Sequence, residues 1–225
     1  MAHEKRMATV VPVAPSAPVP LRPPTRHGNM VSVALHARQR ILSRALIDMD
    51  ARAQAIGEAA TLLVTTVQSG HKVLVAGNGG SAAQAQHFAA EFVGRFKRER
   101  RAYPMLSLTV DTSILTAVAN DYSYQEVFAR QVEALGQPDD LFIALSTSGQ
   151  SINLLRAAHA AHERSMGVVS ITGDQANPLA RLADVAIRVP TDDTAVTQEL
   201  HIMVVHILCD IAEKELAANE GDVHP

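Results

Sequence analysis

The sequence predicts an α/β fold: a doubly wound, mainly parallel five-stranded sheet flanked by helices, preceded by N-terminal helices. Three observations carry that expectation. Short apolar runs with strand character recur five times, separated by helical patterns. A long helical pattern comes before the first of them. Two loops rich in Gly, Ser and Thr, at 77–81 and 146–151, follow directly on strand ends.

From about Val31 to Ser69, Leu35, Ile41, Leu42, Leu46, Met49, Ile56, Leu62, Leu63 and Val67 recur mostly at helical steps. A break near Asp50 divides this run into two helices, and Ser69-Gly70 ends it. Lys72–Ala76 reads as a strand, and the Gly77–Gly80 loop leads into a helix through about Phe96. Met105–Thr109 is a second strand, followed by helices at Asp111–Val118 and Tyr124–Leu135. Asp140–Leu145 is a third strand, leading through the Ser/Thr loop into a helix across Ser151–Ser165. Val168–Thr172 is a fourth strand, and Asn177–Leu182 a short helix with Pro178 in its first turn. Val185–Val189 is a fifth strand, before a long helix over Val196–Ala218. Right-handed crossovers place helices on both faces of such a sheet. Ligands gather beyond the carboxyl ends of its strands, so both loops should open on one edge.

A chain of 225 residues is read as a Pro/Ala-rich disordered tail (1–29), one domain (30–218) and a short C-terminal tail (219–225). Met30 is an alternative start. With 47% hydrophobic and 19% charged residues, the composition is that of a soluble globular protein. A net charge of −3 argues against nucleic acid or an anionic membrane as partner. Aromatics at 4%, with no Trp, leave little for base stacking. No unbroken apolar run reaches the ~18–20 residues of a membrane span. Cys209 is the single cysteine and lies in an apolar run, so it reads as a core residue in a cytoplasmic protein.

In the first loop, Gly77, Gly79 and Gly80 allow positive φ and close approach to a ligand. Ser81 can cap the following helix, and Asn78 can bond hydroxyls. A plain strand-to-helix turn has the same look. The spacing G-x-G-G-S is not the dinucleotide fingerprint. In the second loop, Ser146, Thr147, Ser148 and Ser151 offer four hydroxyls around Gly149 at a helix start. That exceeds what capping needs and suits a phosphate held by neutral donors. No Gly-Lys-Ser/Thr follows, which excludes a P-loop.

His87 and Glu91, four residues apart, share a helical face. They are either a surface hydrogen bond or a metal-binding or acid–base pair. On the last helix, Leu200, Met203, Val204, Ile207, Leu208 and Ile211 form a broad apolar stripe, extended by Ile202 and Val205. Gln198 and His206 point roughly the same way along it. A buried His206 needs partners, and Glu91, Gln198 or a metal are candidates. Zinc with His, Glu, Gln and His ligands is chemically admissible. His201 competes as a supporting or interface residue. Asn120-Asp121 closes a helix, either as a turn or as a ligand contact. His159 and His162 read as surface positions.

Taken together, Ala-Gly-Asn-Gly-Gly-Ser-Ala-Ala-x-Ala-Gln-His (76–87), Glu91, Asn120-Asp121, Ser-Thr-Ser-Gly-x-Ser (146–151) and Thr-Gln-Glu-x-His…His (197–206) resemble the phosphoheptose isomerases of the sugar isomerase (SIS) superfamily. The resemblance covers about residues 35–216. It implies an SIS-type fold, a homotetramer, and conversion of sedoheptulose 7-phosphate to D-glycero-D-manno-heptose 7-phosphate in bacterial heptose and lipopolysaccharide biosynthesis. By resemblance, Asn78, Gly79, Gly80, Glu91, Asn120, Asp121 and Gln198 contact substrate. Ser146, Thr147, Ser148 and Ser151 hold its phosphate. His87, Glu91, Gln198 and His206 match zinc-site positions, one ion per subunit, and Glu91 and His206 match the catalytic pair. A related branch, the replication-initiator-associating proteins, shares the fold without the chemistry and tends to lose Glu91 and His206. This chain keeps both. A sugar-phosphate-sensing regulator is a third class, though no DNA-binding domain accompanies the fold.

Overall fold

The computed structural model describes residues 25–220, with side chains through Ala218. The Pro-rich segment up to position 24, read as a tail, lies outside the described residues, as do positions 221–225 of the C-terminal tail. By compactness the chain divides into a unit ending at Ala37 and one running from Arg38. Helix α1 (Arg26–Met49) starts in the first unit, earlier than the expected Val31.

The second unit contains the end of α1, a 3-10 turn at Asp50–Arg52 and α2 (Ala53–Gln68). The break expected near Asp50 is this turn. Then follow β1 (Val73–Gly77), α3 (Gly80–Val93), β2 (Met105–Ser107), α4 (Thr112–Asp121), a 3-10 turn (Tyr124–Glu126) and α5 (Ala129–Leu135). The chain continues through β3 (Leu141–Ser146), α6 (Ile152–Glu163), β4 (Gly167–Gly173), α7 (Pro178–Leu182), β5 (Val185–Val189) and α8 (Thr194–Glu220). The helix expected over Tyr124–Leu135 is thus a 3-10 turn and a shorter helix, joined through the buried Val127 and Phe128.

All strand pairs are parallel, in the order β2-β1-β3-β4-β5. The register sets Val73 beside both Met105 and Leu141, and Val169 beside Val185. Sheet growth reverses between β1 and β3, which makes their carboxyl ends the switch point where such sheets bind ligands. Strand side chains alternate between two cores. Val73, Val75, Leu141, Ile143, Leu145, Val169 and Ile171 face α2, α3 and α8. Leu74, Ala76, Phe142, Ala144 and Val168 face α5, α6 and α7. Full burial of each Val, Leu, Ile or Phe is worth ~1.5–3 kcal/mol.

α8 is long and apolar enough to cross a membrane by composition alone. Here Val196, Leu200, Val204, Val205, Leu208 and Ala212 are fully or almost fully buried in the first core. Cys209 is buried there too, and burial pushes its thiol pKa up, as expected of a core residue.

α3 ends at Val93, short of the expected Phe96, because Glu213 of α8 captures the chain that follows. Its carboxylate accepts from the backbone N–H of Phe96, Lys97 and Arg98 at 2.7–3.1 Å and from Arg100 Nε at 3.2 Å. Arg100 in turn donates to the carbonyls of Glu91, Phe92 and Gly94. These are carbonyls at the α3 C-terminus, where a cation is favoured. Both side chains of the Arg100–Glu213 pair are only 2% exposed.

His201 of α8, a candidate supporting or interface residue, is fully buried in the core region instead. Neither ring nitrogen makes a hydrogen bond of ordinary geometry among the described residues. Burial pushes its pKa down to about 4, weakly opposed by the backbone at Thr172.

Two outcomes follow from these buried charges. Replacing Glu213 with Ala strands Arg100, so urea unfolding should show a loss of ~3–5 kcal/mol, and the R100M/E213L double variant should lose less. His201 binds its proton in the unfolded chain near pH 6.5 but in the fold only near 4. Its contribution is therefore complete above pH 6.5 and disappears as pH falls toward 4, a change of about 3 kcal/mol. The pH dependence of stability in His201→Leu should be flatter than wild type by that amount across this window.

Candidate active site

The first loop leaves the carboxyl end of β1. Gly79 occupies the cap position of α3 with φ 55° and ψ −120°, a conformation that side chains disfavour. Ser81, the residue the sequence suggested as cap, lies inside the helix instead and is buried. Its N–H donates to Asn78 O at 3.0 Å. A Cβ on Gly80 would meet the Gln198 side-chain amide, so the absence of a side chain at Gly80 lets that amide lie directly against the loop. Gln84 Nε2 donates to the Gln198 carbonyl at 2.6 Å, fixing the same contact.

The Asn78 side chain is engaged inside the protein. Its Nδ2 donates to Asn153 Oδ1 at 3.0 Å, and its Oδ1 accepts from Asn153 Nδ2 at 2.9 Å and from Tyr124 Oη at 3.0 Å. Neither Asn153 nor Tyr124 was singled out from sequence. The signals available were proximity alone: Asn153 lies two residues after Ser151, and Tyr124 three after Asp121.

The second loop leaves β3, the neighbour of β1. Ser146 is buried and its Oγ accepts from Gly149 N at 3.0 Å, while Ser148 Oγ accepts from Gln150 N at 3.2 Å. Gly149 takes φ +63° against Asn177, which caps α7. Thr147 O accepts from Gly173 N at 3.1 Å, pinning the loop to the end of β4. Ser151 is the N-cap residue of α6 but makes no side-chain capping bond. A cleft of about 140 Å³ borders the loop, lined by Thr147, Ser148, Gln150, Asp174, Thr191 and Thr194 among others. Two carboxylates line it, Asp192 and Asp174, the latter paired with Arg52 at 2.9 Å.

α3 and α8 lie side by side, and their polar residues meet. His87 Nε2 stands 3.1 Å from Glu91 Oε1 and 3.2 Å from His206 Nε2. The Phe96 ring stacks on His206 with centroids 5.4 Å apart. His206 holds its proton below the usual imidazole range, chiefly through burial and then through the nearby His87, with Glu91 opposing. His87 remains substantially exposed. Seven residues separate Gly80 from His87, ~10 Å along the helix axis. Gln198 therefore sits at the loop end of α3, with its amide against Gly80, and the three other side chains sit further along. Asn120 Nδ2 donates to Asp121 Oδ1 at 2.8 Å in the exposed last turn of α4. His159 and His162 are on the surface, His162 at 3.3 Å from Asp184.

The donor types at the cluster suit a borderline metal such as zinc: imidazole nitrogens and a carboxylate oxygen. One imidazole nitrogen, His87 Nε2, stands at hydrogen-bond distance from both Glu91 Oε1 and His206 Nε2, yet it has one proton or one lone pair and serves only one of them well in either tautomer. Such crowding of lone pairs is what a cation relieves. Among the described residues, no three His, Cys, Asp or Glu side chains already surround a common metal position.

The SIS domain family model matches residues 29–173. The curated phosphoheptose isomerase of Thiobacillus denitrificans is 51% identical over 174 residues, covering 76% of this chain and 88% of the relative. The solved phosphoheptose isomerase of Francisella tularensis superposes with a TM-score of 0.78 at 38% identity, covering 82% of this chain and 98% of that one. That of Neisseria gonorrhoeae gives 0.75 at 38% identity, covering 83% and 98%. Half-identity over most of the length of a relative, together with the SIS domain match and the structural superpositions, identifies the chain as a member of the phosphoheptose isomerase family of SIS-domain proteins.

Proposed function

We propose that this protein is a ketose–aldose isomerase converting sedoheptulose 7-phosphate to D-glycero-D-manno-heptose 7-phosphate through an enediol. One observation carries the reading: Glu91, His87 and His206 converge from α3 and α8 in a chain half-identical to phosphoheptose isomerases. A partner-binding protein of the replication-initiator-associating type is disfavoured by that same kinship and by the presence of both Glu91 and His206.

Isomerisation moves a hydrogen between adjacent carbons. Glu91 takes the C1 proton of the ketose while the C2 oxygen gains one, forming the enediol. The proton then returns to C2, the C1 oxygen loses its own, and the aldose results. His206, with its pKa lowered, enters as a neutral imidazole whose ring N–H serves the substrate oxygens. Ser146, Thr147, Ser148 and Ser151 take the phosphate with neutral donors. Asn78, Gly79, Gly80, Asn120, Asp121 and Gln198 take the sugar hydroxyls. The ~10 Å from Gly80 to His87 along α3 is of the order of an extended seven-carbon chain. A zinc ion held by His87, Glu91 and His206 would polarise the carbonyl; Gln198, the fourth expected ligand, lies against Gly80 at the loop end of α3.

A homo-oligomer, a tetramer by resemblance, fits an exposed apolar groove of about 470 Å³ between α1, α2 and α8, lined by Leu46, Met49, Ile56, Met203, Ile207 and Ile211. A cytoplasmic place in heptose and lipopolysaccharide biosynthesis fits the single buried cysteine and the phosphorylated substrate.

With sedoheptulose 7-phosphate as substrate, Glu91→Gln and His206→Ala should each reduce kcat by ~100-fold or more. Full activity in either variant removes the mechanism. Chelation should reduce turnover and added zinc restore it, with bound metal measured in parallel. A metal-free preparation at full activity removes the zinc.

A further inference from the structure

We infer that Asn153 and Tyr124 are positioning residues that latch the sugar-binding loop to the phosphate cradle through the Asn78 side chain. The inference rests on the assignment of loops 77–81 and 146–151 made under the proposed function. Asn78 and Asn153 exchange two hydrogen bonds, at 3.0 and 2.9 Å, each amide donating to the other. Tyr124 Oη adds a third bond at 3.0 Å to the same Asn78 oxygen. Asn78 Oδ1 therefore accepts twice and its Nδ2 donates once, so one side chain serves both partners at the same time.

The three residues come from segments distant in sequence. Asn78 opens the loop after β1. Asn153 lies in the first turn of α6, just past Ser151, and is only 4% exposed. Tyr124 lies in the 3-10 turn that follows Asn120-Asp121, and Glu126 of that turn pairs with Arg156 of α6. Every loop assigned to substrate on this edge of the sheet, namely 78–80, 120–121 and 146–151, is thus adjacent in sequence to one member of the latch. A reciprocal amide pair of this kind, part-buried and anchored on the buried Asn153, favours one arrangement of the loops it joins. The carbonyls of Asn78 and Gly79 accept from the amides of Ser81, Ala82 and Ala83, so the orientation of residue 78 passes directly into the first turn of α3. On this account, phosphate seated at the start of α6 finds the sugar loop already in place. Tyr124 is 59% exposed, and its hydroxyl ties it to Asn78.

The test uses the full chain with Tyr124→Phe and Asn153→Ala. Hydrogen exchange at the Ser81–Ala83 amides should accelerate ~3- to 10-fold in each, as expected for loss of one or two net hydrogen bonds. Exchange in β4 should not change. kcat with sedoheptulose 7-phosphate should fall by a similar factor, the double variant should lose no more than the Asn153 variant, and inhibition by inorganic phosphate should be unchanged in Tyr124→Phe. Unchanged exchange at Ser81–Ala83 in both variants overturns the latch. So does acceleration spread equally over β4, which marks general destabilisation, or undiminished kcat in an active enzyme. Exchange needs no turnover, so an inactive wild type counts against the isomerase reading while the exchange pattern still decides the latch.

Discussion

The arrangement of the candidate site depends on the buried pair between Arg100 and Glu213. Arg100 closes the C-terminal carbonyls of α3, and Glu213, two turns beyond His206 on α8, holds both Arg100 and the three backbone amides that follow α3. The two helices are thereby fixed against sliding. Because a helix advances ~1.5 Å per residue, a shift of one turn would carry His206 ~5 Å from His87. At the other end, Gln198 against Gly80 fixes the same register. Between these anchors the 3.1 and 3.2 Å approaches of His87 to Glu91 and His206 are set by the fold.

Burying two charges is unfavourable unless their hydrogen-bonding capacity is met. Here it is met unusually fully: Glu213 accepts from four donors and Arg100 reaches carbonyls at Glu91, Phe92, Gly94 and Arg101 besides. The contrast with His201 on the same helix is instructive. That imidazole is equally buried but has no charged partner among the described residues, so burial keeps it neutral. One helix therefore carries a paired charge, a silenced base and a half-buried reactive one, distinguished only by their surroundings.

The sheet order accounts for the rest of the site. With β1 and β3 adjacent and their crossovers leaving to opposite faces, the loops after both strands open together at the switch point. Asn78 and Asn153 meet across that gap. The phosphate-type loop is in turn pinned from the β4 side through Gly173 and Asn177. The loops are held on one rigid edge, while the acid–base cluster lies further along α3. On the proposed assignment, this layout separates the groups that would hold one end of an extended substrate from those that would act at the other.

Much of this was legible in the amino-acid order because it is local. Short apolar runs and helical patterning located all five strands and the long helices, and Val185–Val189 was placed at its actual limits. The Gly loop, the hydroxyl loop and the i,i+4 pair of His87 and Glu91 were visible because their residues are neighbours. What escaped was set by distant pairs. Glu213 and Arg100 are 113 residues apart, and Asn153 and Asn78 are 75 apart. No periodicity announces such partners. The end of α3 was misplaced in part for that reason: Gly94 gives a local stop signal, but the chain beyond it is held out of the helix by Glu213, which claims the amides of Phe96, Lys97 and Arg98. Local sequence determined which chemistry the chain carries and on which elements; tertiary packing alone decided which of those groups meet, because register between two helices is a property of the contacts that join them.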